Sequence, residues 1–298
     1  MSTALLTPLM QETELILNPD GSVYHLKLRP EHLAETVIVT GDQGRVAAVS
    51  KYFDRVEFKV QNREFITHTG YSGKKRITVL STGIGTDNID IVMNELDALV
   101  NIDLNTRAVS AEKRSLDIIR IGTSGALQPD LLPDSFVVSA YGLGLDGLLN
   151  YYGETDRLYE KELSAAFMAH TSWDERLPYP YAVRGSDELA GRIGKGLASG
   201  ITATAPGFYG PQGRALRLKP LMPGLNEALT SFRHEQLRIT NFEMETSALY
   251  GLARLLGHRA CTVCTIIANR VIKKYSPDHH PAIDRLIRLV LERLTSSC

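Results

Sequence analysis

Residues 205–214 read APGFYGPQGR and bring together an aromatic face (Phe208), a planar amide (Gln212) and a guanidinium (Arg214). Gly210, Pro211 and Gly213 crowd between them and force a tight loop. An amide offers one donor and one acceptor side by side, and an arginine offers a fork of donors. Together they can read the O–C–N–C–O edge of a pyrimidine ring while Phe208 packs on its face. The same composition also suits a solvated turn, and the loop alone does not decide between the two.

Other segments point to an anion. Three apolar runs end in glycine-rich turns, TGDQGR, STGIGT and RIGTSG. Open α/β sheets bind ligands just beyond the carboxyl ends of their strands. Gly41 and Gly44 let backbone N–H groups approach an anion, and Arg45 follows where a helix begins and its dipole favours negative charge. Arg120 stands near the end of the apolar segment DIIRIGTSG, with Thr123 offering a hydroxyl in the following turn. A charge in a buried strand is costly without an opposite charge. No carboxylate follows nearby, so its partner is either a bound anion or a distant Asp or Glu. In NFEMETSAL, Glu243 and Glu245 precede a helix. They either cap that helix, or one of them accepts two hydrogen bonds from a vicinal diol such as ribose O2′ and O3′.

Alternating strands and helices position these groups, the pattern of an α/β domain. Strands are expected at 35–40, 75–82, 116–121, 135–140 and 259–269. Helices are expected to start after Gly44 and at 164 and 188, and to span 87–100 and 246–256, the last stopped by Gly257. Pro281 opens a final helix whose apolar face is Ile283, Leu286, Ile287, Val290 and Leu294. Asn101–Ser115 is long and polar for a connection. Val271–Ala282 reads as a loop, either a lid or plain surface, and its adjacent His279 and His280 suit a metal poorly.

The chain has 298 residues, 43% hydrophobic and 22% charged, with a formal net charge of −1. That balance suits a globular protein with a sizeable core and gives no field to attract nucleic acid or an anionic membrane. The first residues, MSTALLTPLMQETELIL, make a poor signal peptide. Cys261, Cys264 and Cys298 fit a reducing compartment, so a cytoplasmic location is expected. Cys261 and Cys264, three apart on a strand, point to opposite faces and read as core thiols.

The segments VYHLKL, VIVTGDQGRV, NREF, STGIGT, IIRIGTSGAL, FYGPQGR, NFEMET and IIANR, spread from residue 23 to 270, resemble the nucleoside phosphorylase superfamily, and within it the uridine phosphorylases. The resemblance implies one phosphorylase domain over 1–298, with a three-layer α/β/α fold, a central mixed sheet, an N-terminal extension (1–21) and a polar insertion (101–115). It implies that Gly41, Arg45, Arg120 and Thr123 bind phosphate, with Arg63 arriving from a neighbouring subunit of a homo-oligomer. His25 of that neighbour touches the ribose 5′-hydroxyl; neither His25 nor Arg63 has an evident partner nearby in the sequence. Met244 and Glu245 hold ribose, with Glu243 nearby. Phe208, Gln212 and Arg214 hold uracil, Ile267 and Ala268 line the base pocket, and Arg270 organises it from behind.

The implied reaction is phosphorolysis of uridine to uracil and ribose 1-phosphate, with phosphate as co-substrate and no cofactor. Purine-specific relatives carry an Asp near the end of the strand that reads CTIIANR here, and hydrolytic relatives lack the phosphate-binding arginines. The family's FYPGQ loop reads FYGPQ. Of its monovalent-cation site, Glu64 and Ile84 match but Asn88 replaces a Ser, which leaves potassium an open expectation. Alternatives are phosphorolysis of other pyrimidine or purine nucleosides, a nucleoside hydrolase, and a catalytically silent nucleoside-binding protein.

Overall fold

Strand β1 (Thr36–Thr40) is buried at every residue, which demands cover on both faces of the sheet it belongs to. Alternate side chains find separate cores. Val37 and Val39 pack with Ile89, Val92 and Leu249, whereas Ile38 packs with Val46, Leu286 and Ile287. This computed structural model describes residues 10–296. Residues 1–9 of the expected N-terminal extension (1–21), and Cys298, lie outside the described residues.

The strands are β1, β2 (Arg55–Asn62), β3 (Phe65–Ser72), β4 (Lys75–Ser81), β5 (Ile102–Asp103), β6 (Ala108–Val109), β7 (Asp117–Ala126), β8 (Phe136–Gly144), β9 (Tyr181–Arg184), β10 (Ala198–Thr204), β11 (Arg233–His234), β12 (Leu237–Glu243), β13 (Arg259–Asn269) and β14 (Lys274–Tyr275). The helices are α1 (Gln43–Ser50), α2 (Thr86–Asn101), α3 (Lys161–Thr171), α4 (Asp187–Ile193), α5 (Leu225–Ser231), α6 (Thr246–Leu256) and α7 (His280–Thr295). The main sheet runs β11-β12-β10-β8-β13-β7-β1-β4-β3-β2. It is mixed: β1 is parallel to β4 and β7, while β13 is parallel to β7 and antiparallel to β8. Helices α1, α4 and α7 cover one face, and α2 and α6 the other. The expected three-layer α/β/α architecture with a mixed sheet is the one observed.

Strand β7 organises the site. One edge pairs with β13 from end to end. The other pairs with β1 over Asp117–Arg120 and with β12 only at Gly125 and Ala126. Between these stretches β1 and β12 part. The sequence reading ended this strand at Ile121 and took GTSG as a turn; the strand instead continues, and Thr123 lies within it. Gly122 is there for room rather than for a turn. It shares a face with Arg120, and a Cβ on it would collide with the Arg120 guanidinium and lie 2.8 Å from Cys264 Sγ.

The less regular stretches also resolve. Within Asn101–Ser115 the chain forms the β5–β6 hairpin, and the Arg107 guanidinium at its turn donates to the Leu15 carbonyl. Within Val271–Ala282, β14 pairs back on Ala268 and Asn269. Among the described residues no helix is long and apolar enough to cross a membrane.

The amino end of α6 sits hard against β8. A Cβ on Gly142 would lie 2.8 Å from the Cα of Ser247 and 2.9 Å from its nitrogen, backbone atoms that cannot swing aside. Gly142→Ala is therefore expected to lower stability by about 1–3 kcal/mol through overpacking. Thermal and urea denaturation measure this; an unchanged melting temperature would show that α6 is not seated by this contact.

Candidate active site

Where β1 and β12 part, the carboxyl ends of β1, β7, β12 and β13 surround a cavity of about 820 Å³. Gly41, Arg45, Arg120, Thr123, Phe208, Gln212, Arg214, Glu243, Met244, Glu245, Ile267 and Ala268 all line it, so most of the residues expected from sequence converge on one space.

At one end lie the cations. Arg45, in the first turn of α1, is 9% exposed. Its Nη1 donates to Thr40 Oγ1 at 3.1 Å and to the Ile121 carbonyl at 3.2 Å, both neutral oxygens. No ion pair among the described residues involves it. Burial lowers its pKa, and Asp42 partly opposes this. Asp42 caps α1 by accepting from Gly44 N at 2.8 Å and also lines the cavity. A buried guanidinium with no carboxylate against it is the arrangement an anionic ligand completes.

Arg120 is different. Both alternatives left open by the sequence have a bearing on it, because it lines the cavity and also meets two distant carboxylates. Its Nη2 donates to Glu245 Oε2, and its Nη1 lies 3.3 Å from Glu243 Oε2. Burial opposes its charge, but Glu245 and Glu243 outweigh burial and raise its pKa. Glu243 is also the cap of α6, accepting from the backbone N of Glu245 at 3.0 Å and of Thr246 at 3.0 Å, with Thr204 Oγ1 donating at 2.9 Å. Glu245 accepts from Gly85 N at 2.9 Å. Burial pushes the Glu245 carboxyl up, Arg120 pulls it back, and Glu243 adds to the rise. Of the two carboxylates, Glu243 is committed to the helix end and Glu245 has the freer oxygens.

The far end is apolar and polar by turns. Gln212 is buried, and its Oε1 accepts from Arg214 Nη1 at 2.6 Å. The Arg214 guanidinium stacks 3.8 Å from the centroid of Phe208, so the aromatic face expected for a ring ligand is shared with this arginine. Ile267 and Ala268 are consecutive on β13 and would ordinarily point to opposite faces. A bulge between Ile266 and Ala268 turns both onto the cavity wall. Arg270 stands behind, 5.8 Å from the Phe242 ring, and lowers the Arg214 pKa after burial has done so.

His25 and Arg63 do not line this chain's cavity. Each has a partner the sequence did not reveal: Glu95 for His25 at 2.7 Å, and the Tyr24 ring 5.7 Å from Arg63. Glu64 and Ile84 do line the cavity, and Asn88 Nδ2 donates to the Ile84 carbonyl at 3.3 Å. His279 and His280 stack on each other with ring centroids 4.9 Å apart, and Tyr275 lies edge-on to His279. Sequence reasoning missed Phe242 and Tyr275 as lining residues. Phe242 lay within the quoted NFEMET segment; Tyr275 reaches the cavity only because β14 pairs back on Ala268.

Two buried arginines, two buried carboxylates and an aromatic loop bearing an amide and a guanidinium thus share one cavity at the strands' carboxyl ends, the construction of an enzyme site on an α/β sheet. A family model described as the phosphorylase superfamily matches residues 35–295, and the chain belongs to that superfamily. The uridine phosphorylase of Thermococcus kodakarensis is 31% identical over 264 residues, covering 86% of this chain and 80% of its own. That of Escherichia coli is 27% identical over 258 residues, covering 84% and 87%. The solved Trypanosoma brucei nucleoside phosphorylase, which shows uridine phosphorylase activity, superposes with a TM-score of 0.86 at 30% identity, covering 95% of this chain and 100% of that one.

A buried cation with no carboxylate against it is held at a cost in stability. Arg45→Met is expected to melt no lower than the wild type without ligand. Saturating phosphate or sulfate should stabilise the wild type, by about 2.7 kcal/mol at a hundred times Kd, and should leave the variant's melting temperature unmoved. A variant that melts lower yet responds to the anion like the wild type contradicts this.

Proposed function

We propose that this protein is a uridine phosphorylase, cleaving uridine with phosphate to uracil and ribose 1-phosphate. The observation that carries the reading is Arg45, a buried cation without a carboxylate partner, opening with Arg120 into the cavity that Gln212 and Arg214 close at its other end. The named uridine phosphorylases among its relatives support the same reading.

Phosphate lies at Gly41, Arg45, Arg120 and Thr123, uracil at Phe208, Gln212, Arg214, Ile267 and Ala268, and ribose between them at Met244 and Glu245. The C1′–N1 bond breaks and its electron pair leaves with uracil, while a phosphate oxygen forms the new bond to C1′. The transition state resembles a ribosyl cation between two anions. Arginines orient the phosphate, and orientation alone is worth several kcal/mol. Gln212 and Arg214 donate to the uracil oxygens as charge develops there. Glu245 accepts from the ribose hydroxyls, and Glu243 fixes Glu245 by fixing the amino end of α6. Arg270 keeps a cation behind the uracil end.

His25 and Arg63 complete the site from a second copy of the chain. Both stand away from their own cavity, and Arg63 occupies the β2–β3 turn in a left-handed conformation, φ 52°. The buried thiols Cys261 and Cys264 suit a reducing cytoplasm. The whole chain acts as one domain, residues 1–21 and 101–115 being additions to it.

Uracil release followed by ultraviolet absorbance should require phosphate. Full turnover in buffer free of phosphate and arsenate rules the phosphorylase out and leaves a hydrolase. Gln212→Ala and Arg214→Ala should each lower kcat/KM for uridine by about 10²–10³; wild-type values would reduce the loop to a turn. For the shared site, inactive Arg63→Ala chains are mixed with inactive Glu245→Ala chains under subunit exchange. A mixed pair contains one site with both defects and one with neither, so activity should reappear. A mixture that stays inactive despite proven exchange places both residues in one chain's site.

A further inference from the structure

His25 lies in an irregular stretch between the Leu17–Val23 bridge and the 3₁₀ turn Pro30–His32, with no helix or strand of its own to orient it. Orientation comes from Glu95 on α2. Its Oε1 accepts from His25 N at 2.9 Å and from the ring Nδ1 at 2.7 Å, and its Oε2 accepts from Leu26 N at 2.7 Å. Asn62 Nδ2 donates to the His25 carbonyl at 2.8 Å, and Tyr24 and Phe65 pack edge-on against the ring. A carboxylate only accepts, so the proton facing it sits on Nδ1. In the neutral ring Nε2 is then an acceptor, and it has no hydrogen-bond partner among the described residues. The His25 side chain is 26% exposed and that of Glu95 is 13%.

The geometry points to Glu95 as a positioning residue: it holds the His25 imidazole in the Nδ1–H tautomer and turns Nε2 outward as acceptor for the 5′-hydroxyl of a ribose bound in the neighbouring copy. This rests on the reading above that His25 serves that ribose. Glu95 touches no substrate. It acts through His25, as a carboxylate behind a ligating histidine fixes which nitrogen bears the proton. A purely structural Glu95 needs only the two backbone contacts; the ring contact is the additional one.

Uridine and 5′-deoxyuridine, which lacks the hydroxyl, separate these roles. Wild type, His25→Ala, Glu95→Ala and the double variant are assayed on both at saturating phosphate. Glu95→Ala should lower kcat/KM for uridine by about 3- to 10-fold, the usual net contribution of one hydrogen bond, and leave 5′-deoxyuridine within about twofold, since that substrate makes no such bond. The double variant should discriminate no less than His25→Ala alone, the non-additivity of residues acting as a unit. If Glu95→Ala does not fold, Glu95→Gln keeps a backbone acceptor and should show a smaller loss confined to uridine. Equal losses on both substrates, or none, overturn the positioning role while His25→Ala still erases the preference for uridine. If His25→Ala keeps that preference, the ribose reading of His25 fails and the role of Glu95 fails with it.

Discussion

Four charges meet in the interior of this protein, and the site depends on how they balance. Arg120 lies against Glu243 and Glu245, and Arg45 lies nearby without a carboxylate of its own. Two cations and two carboxylates sum to neutrality, yet the pairing is lopsided. Removing one partner of such a cluster is costly, because the remaining charge stays buried. The lopsidedness leaves Arg45 without an opposite charge, while burial lifts the Glu245 carboxyl to about 7 and Arg120 pulls against that rise.

The secondary structure delivers those charges from four directions. Arg45 comes from the first turn of α1 and Arg120 from within β7; Glu243 ends β12 and Glu245 opens α6. The divergence of β1 and β12 makes the opening, and Glu243 ties its far side to α6 through backbone N–H groups.

Much of this was legible in the sequence. The long apolar run of β13 and the helical period of α2 marked those elements closely, because each buries residues at a regular spacing. Glycines misled at Gly122, where the missing side chain makes room for Arg120 instead of turning the chain. Strand β2 alternates between exposed and half-buried residues and carried a readable strand pattern, but its charged residues masked it. The partners of Arg120 and His25 were out of reach of any local reading. Each is set by tertiary packing between residues 70 or more apart.

The bulge in β13 separates two kinds of sequence constraint. Ala260 through Ile266 are fully enclosed and answer to the packing on either side of the sheet. Past the bulge, Ile267 and Ala268 are only half-buried and face the cavity together. Side chains there shape the cavity wall, while the pairing of Arg259–Ile266 with β7 is made upstream of the bulge. One strand thus answers to two separable demands, close packing before the bulge and the shape of an opening after it.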